Sequence, residues 1–183
     1  MNDVSQNSGV VYWITGLSGV GKTTVAALLY ERLTERGINA VHLDGDRLRE
    51  VLSAETAHSE NERYTLAFTY VRLCKMLAEQ GLSVICSTMS LFNDVRSWGR
   101  VHTPNWVEVH LTAPMAILHA RDPKGLYARA VAGKMDNVAA MDMPYEAPTQ
   151  SDLEILNDGS FPPEDAVEKI INLAVQRGLF VGD

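Results

Sequence analysis

Gly16-Leu17-Ser18-Gly19-Val20-Gly21-Lys22-Thr23 stands between an apolar run, Val10 to Thr15, and a segment of helical periodicity, Thr23 to Arg36, that stops at Gly37. The octapeptide fits G-x-x-x-x-G-K-[ST] in the strand, loop, helix context that the pattern requires. Glycines there let successive backbone N–H groups converge on phosphate oxygens, and the helix that follows turns its positive end to the same anion. Lys22 adds charge at the β and γ phosphates, Thr23 offers a hydroxyl to Mg²⁺, and Thr24 follows among the phosphate-binding residues. The bland alternative, a glycine-rich turn that merely caps a helix, leaves the adjacent Lys-Thr unexplained. ATP and Mg²⁺ are therefore the expected ligands. The loop leaves the acceptor open, since motors, GTPases and small-molecule kinases share it.

Outward from the loop, strands and helices alternate. Ala40 to Leu43 reads as a second strand leading into Asp44-Gly45-Asp46 and a short helix through Leu52. From Glu60 to Gln80, Leu66, Val71, Leu73, Met76 and Leu77 recur at helical spacing, and Gly81 stops the run. Ser83 to Cys86 and Trp106 to Leu111 are further strands, Pro114 to Ala120 a helix, Leu153 to Leu156 a last strand and Pro163 to Arg177 the closing helix. This order predicts an α/β fold, a P-loop NTPase-like parallel sheet with helices on both faces, whose ligands collect beyond the carboxyl ends of the strands. Residues 121–148 break the pattern with Gly, Pro and scattered charge around a short helical stretch, Tyr127 to Ala132, and read as a mobile lid. Residues 1–9 read as a flexible tail and 10–183 as a single kinase domain.

The second strand delivers Asp44 and Asp46 to the sheet edge that holds the phosphates. A carboxylate there can accept the proton of an attacking hydroxyl or hold a magnesium-bound water. The competing role is structural, with Asp46 capping a helix that begins at Arg47. Arg47 and Arg49 stand beside the acids, within reach of phosphate oxygens or simply on a solvated helix face. No acid closes the third strand, Val84-Ile85-Cys86-Ser87, which disfavours a motor or mechanical ATPase.

Composition narrows the partners. The 183 residues are 46% hydrophobic and 21% charged, enough for one substantial core, and the formal net charge of −7 argues against broad nucleic-acid binding. The expected partner is a small molecule in the cytoplasm, because no uninterrupted apolar stretch reaches the length of a membrane span. Cys74 and Cys86 lie among apolar neighbours and are expected as buried reduced thiols. Trp98 and Trp106 are expected in the core or at an interface.

Three blocks carry a resemblance to the adenylylsulfate (APS) kinase family: Gly16 to Thr23, Leu43-Asp44-Gly45-Asp46 with Arg49, and Arg121-Asp122-Pro123-Lys124-Gly125-Leu126-Tyr127 with Pro144-Tyr145-Glu146-Ala147-Pro148. The third is far more specific than the first. The resemblance implies transfer of the γ-phosphoryl group of ATP to the ribose 3′-hydroxyl of adenosine 5′-phosphosulfate, a step of sulfate assimilation, by a homodimeric enzyme. By position it makes Asp46 the base, Asp44 a support of the metal alongside Thr23, and Arg121 a neighbour of the ATP adenine. Lys124, Leu126 and Tyr127 would close the lid over the acceptor, Arg49 and Arg63 would meet its phosphate or sulfate, and Ser90 would touch the transferred phosphate.

Departures from the family cluster on the acceptor side. His58 replaces a phenylalanine, Leu66 an asparagine and Phe68 an arginine; Met89-Ser90-Leu91 replaces Ile-Ser-Pro; and Val138-Ala139-Ala140 replaces Phe-Thr-Gly. The two rings that would sandwich the acceptor adenine are therefore missing. An aromatic stack contributes about 0.5–1.5 kcal/mol and an arginine contact to a charged group about 1.5–3 kcal/mol, so these changes bear on substrate choice. His58 itself would stack on a base or stand exposed before a helix. Alternative readings are a kinase of another nucleotide, such as cytidine diphosphoramidate in capsule modification, and a non-catalytic nucleotide-binding domain.

Overall fold

A computed structural model describes residues 8–54, 59–103 and 105–179. Within them β1 (Val11–Thr15), β2 (Ala40–Asp44), β3 (Ser83–Ser87), β4 (Trp106–Thr112) and β5 (Leu153–Leu156) pair in parallel in the order β2-β3-β1-β4-β5. The helices are α1 (Lys22–Glu35), α2 (Gly45–Val51), α3 (Glu60–Ala78), α4 (Asn93–His102), α5 (Met115–Arg121), α6 (Leu126–Val131) and α7 (Pro163–Gln176). The predicted α/β class and strand positions hold, with β2, β3 and β4 each extended by one residue at the carboxyl end.

Residues of a strand alternate between faces, and β1 feeds two cores in this way. Tyr12 and Ile14 pack with Val25, Leu29 and Leu33 of α1 and Val167, Ile170 and Ala174 of α7. Val11 and Trp13 pack with Tyr70, Val71, Cys74 and Ala78 of α3 and Val95 of α4, where Trp13 stacks on Trp106 at 5.4 Å. Helices thus cover both faces and leave the carboxyl edge of the sheet for the site. Cys74 and Cys86 are buried free thiols without a disulfide, and their mutual hydrogen bond together with burial pushes the Cys86 thiol up.

Three details differ from the sequence reading. The fully buried residues of α3 are Tyr70, Val71, Cys74 and Ala78, with Leu66, Leu73 and Leu77 packed partly buried against the same core; of the apolar positions that located the helix, Met76 turns outward, 51% exposed. Helix α4 was not anticipated. It opens on Phe92 with no side-chain cap; Val95 and Trp98 pack into the second core, and Arg96 and Gly99 are the other buried residues on its inward side. Helix α2 starts at Gly45, not Arg47, and Asp44 rather than Asp46 is its cap, accepting from the Asp46 N–H at 3.0 Å.

Residues 1–7 of the expected tail, and 180–183, lie outside the described residues. Ser8 and Gly9 belong to the body: the Gly9 N–H donates to Ala78 O at 2.8 Å, and Asn105 Nδ2 donates to Ser8 O at 3.1 Å. The 121–148 segment carries α6 and a bridge between Ala139 and Met143. Ala139 and Met143 pack with Leu91 over Met89, Phe92 and Tyr145, so this segment brings its own small core.

Candidate active site

A cleft of about 960 Å³ opens at the carboxyl ends of β1, β2 and β3. That is the upper end of the range for small-molecule sites, room for more than one nucleotide-sized ligand. β1 ends in Thr15, and the chain then turns through the glycine loop into α1. Two glycines are obligatory there. A Cβ on Gly16 (φ 145°) would lie 2.3 Å from Leu111 O, and one on Gly21 (φ 96°) 2.5 Å from Asn157 Nδ2.

Lys22 opens α1 and donates from Nζ to Leu17 O at 2.9 Å. Burial, then the charge of Lys124, pulls its pKa down to about 8 against the pull of Asp46 and Asp44. Thr23 Oγ1 donates to Asp44 Oδ2 at 2.8 Å, and Ser87 Oγ, at the end of β3, donates to the same oxygen at 3.0 Å. His42 Nε2 lies 3.1 Å from Ser87 Oγ behind them. Burial raises the Asp44 pKa, but the bonds from Thr23, Asp46 N–H and Ser87 outweigh it and hold the carboxylate below its ordinary value. A threonine hydroxyl in contact with an ionised carboxylate, next to a phosphate loop, is the hard oxygen set that suits Mg²⁺.

Asp46 projects from the first turn of α2 into the open cleft. Its Oδ1 pairs with Arg49 Nη1 at 3.2 Å and its Oδ2 with Lys124 Nζ, which ties the 121–148 segment to the acidic side of the site. Arg63 of α3 donates from Nη2 to Asn137 O at 2.9 Å, while its buried Nε has no partner among the described residues. Burial, then the charge of Arg49, lowers its pKa. Arg49 and Arg63 share a recess with Leu66, Thr88 and Met89, so two guanidinium groups face one space without a counter-anion between them.

At the other end of the cleft, Arg121 closes α5 and donates from Nη1 to Asn157 O at 2.8 Å. Asn157 Nδ2 in turn donates to Val20 O at 2.7 Å, bracing the glycine loop. Asn157, Gly159, Phe161 and Pro163 line this end and were absent from the sequence reading. Asn157 directly follows β5, and the rule that ligands gather beyond strand carboxyl ends was the available signal.

The predicted residues Ser18, Gly19, Gly21, Lys22, Thr23, Thr24, Asp44, Asp46, Arg49, Arg63, Arg121, Lys124, Leu126 and Tyr127 all line this one cleft. Gly16, Leu17 and Val20 shape the loop from behind. Tyr127 is 2% exposed; its hydroxyl donates to Ser18 O at 3.1 Å and its ring stacks on His119, so it props the glycine loop as well as lining the cleft. Ser90 is 1% exposed and does not line the cleft, where Thr88 and Met89 stand instead; its N–H donates to Thr15 Oγ1 at 3.1 Å. Phe68 is turned away, edge-on to Tyr64 and Trp98. Val138 and Ala139 line the cleft with Met89 and Met135. His58 lies outside the described residues.

The family model for adenylylsulphate kinase matches residues 8–156. The chain is 37% identical over 166 residues, 91% of it and 96% of the relative, to the cytidine diphosphoramidate kinase of Campylobacter jejuni. It is 39% identical over 154 residues, 84% of it and 85% of the relative, to the adenylyl-sulfate kinase of Deinococcus deserti. Its fold superposes on the Mycobacterium tuberculosis APS kinase CysC, solved with AMPPNP and APS, with a TM-score of 0.85 at 32% identity over 92% of this chain and 98% of that one. A phosphate loop, an oxygen pair fit for magnesium and an acid facing paired arginines therefore sit on a chain that belongs to the adenylylsulphate kinase family, ATP-dependent phosphotransferases with a hydroxyl group as acceptor.

Proposed function

We propose that this protein transfers the γ-phosphoryl group of ATP, with Mg²⁺, to the ribose 3′-hydroxyl of a small nucleotide whose 5′ end is anionic. The observation that carries this is the position of Asp46 between the phosphate loop on one side and, on the other, the recess of Arg49 and Arg63, whose described lining holds no carboxylate. In this reading the loop N–H groups, Lys22 and Thr24 hold the triphosphate, and Thr23 with Asp44 holds the metal. Bound Mg²⁺ would neutralise charge on the transferring group. Asp46 accepts the hydroxyl proton once Lys124 shifts from it towards phosphate, and Arg49 and Arg63 take the anionic end of the acceptor. A cytoplasmic setting and a homodimer go with this reading.

Adenosine 5′-phosphosulfate is the first acceptor, supported by the family and by the retained Asp46, Arg49 and Arg63. Cytidine diphosphoramidate is the second, favoured by one observation: Met89, Met135, Val138 and Ala139 line the cleft together, and none of these four carries a ring to stack a purine. Both nucleotides are offered in parallel with labelled ATP and Mg²⁺, and the new phosphate is located by NMR. Turnover of adenylylsulfate at micromolar concentration supports the first acceptor; turnover of the cytidine compound alone moves the assignment to the second. ATP left unconsumed with both acceptors, and with a wider panel of 5′-substituted nucleotides, would leave a nucleotide-binding domain.

A further inference from the structure

We infer that Phe161 stacks on the adenine of ATP and forms with Arg121 the two walls of the donor base site. The inference rests on the kinase reading above, because the direction of the donor follows from it. The glycine loop and the start of α1 fix the phosphates, and Asp44, Asp46, Arg49 and Arg63 take up the end of the cleft where the γ-phosphate is handed over. The nucleoside must run the opposite way, between Thr24, Arg121, Asn157, Gly159, Phe161 and Pro163.

At that end one apolar group stands uncovered. Among the described large hydrophobic residues that are well exposed, Phe161 is the one that lines the cleft, and it is 64% exposed. Lys169 of α7 lies 5.9 Å from its ring centroid and steadies it. The connection that carries the ring is short and pinned: Asn157 N–H donates to Thr112 O at 2.7 Å, Ser160 N–H to Asp158 Oδ1 at 2.9 Å, and Pro162 and Pro163 lead into α7. In the same cleft lining the flat guanidinium of Arg121 is held by Asn157 O, and Gly159 leaves room beside it, since an added Cβ would lie 3.6 Å from Nη2. A guanidinium plane and an aromatic ring are two surfaces on which a purine stacks. A base between them would cover the exposed ring.

The test measures binding of Mg·ATP and of magnesium tripolyphosphate, which carries the same phosphate chain without a base, by titration calorimetry on the full chain. Phe161→Ala and Phe161→Leu are expected to raise the Kd for ATP about threefold to tenfold, and to leave that for tripolyphosphate within twofold. Phe161→Trp is expected to keep ATP binding within twofold. An unchanged ATP Kd in Phe161→Ala, or equal loss of both ligands, overturns the clamp. Absence of ATP binding in the parent chain would overturn the kinase reading and the clamp together, whereas ATP binding indifferent to Phe161 overturns the clamp alone.

Discussion

Lys22 holds its charge less firmly than an ordinary lysine, with a pKa brought down to about 8 by burial and the neighbouring Lys124. A triphosphate beside it favours the ammonium form and raises that value again. Below pH 8 the lysine is charged with or without ligand; above it, binding must restore the proton, so ATP affinity falls as pH rises through 8 and binding takes up protons. Calorimetry in two buffers of different ionisation heat, above pH 8, is expected to show net uptake that Lys22→Met abolishes. Asp46→Asn is expected to lower kcat about a hundredfold or more with the ATP Kd unchanged, read by single-turnover assay and titration. The placement of site residues was legible where the sequence itself is contiguous: the octapeptide and Asp44-Gly45-Asp46 each link the end of a strand to the helix that follows. The contacts of Arg63 with Asn137 and of Asn157 with Val20 bridge 74 and 137 positions, and no local pattern marks such pairs.

Helix α4 shows how an element escapes a pattern of apolar spacing. Its inward side is led by Arg96, 2% exposed, whose guanidinium donates to Ser90 O, to Asn93 Oδ1 and to Glu146 O and lies 3.4 Å from Glu108 Oε1. One cation thus fastens the loop after β3 to the far end of the 121–148 segment and to β4. Burial raises the Glu108 pKa against the pull of Arg96 and Arg100. Arg96→Met leaves buried carbonyls and a buried carboxylate short of partners and is expected to destabilise the fold by about 3–5 kcal/mol in urea unfolding. This buried charge shares the inward side with Val95 and Trp98, and in a ten-residue helix two inward apolar residues make too short a run to mark the element by apolar spacing. Helices α1 and α7 were legible because apolar residues fill their inward faces.

At the scale of the whole molecule, the sheet order places β1 between β3 and β4, so the glycine loop emerges at the centre of the carboxyl edge. Acids from β2 and α2 reach it from one side and Arg121 and Asn157 from the other. The 121–148 segment spans both ends, joined to the acidic side by Lys124 on Asp46 and by Asn137 O on Arg63. If the segment acts as a lid, both nucleotides together hold it closed. Tryptic cleavage at Lys124, Arg129 and Lys134 is then expected to slow by about a hundredfold when each ligand is present at a hundred times its Kd, monitored by mass spectrometry. Alternation of strands and helices made this architecture readable from the sequence. What the segment faces depends on side chains drawn from five distant stretches, and these meet only in the folded chain.

Asp44 ends β2, caps α2, and accepts hydrogen bonds from Thr23 and Ser87 at one carboxylate oxygen. Its replacement would remove a cap worth about 1 kcal/mol along with the metal-facing oxygen. An inactive form intended as a substrate trap or crystallisation reagent is therefore better built at Asp46, the proposed base, whose side chain pairs with Arg49 and Lys124 and caps no helix.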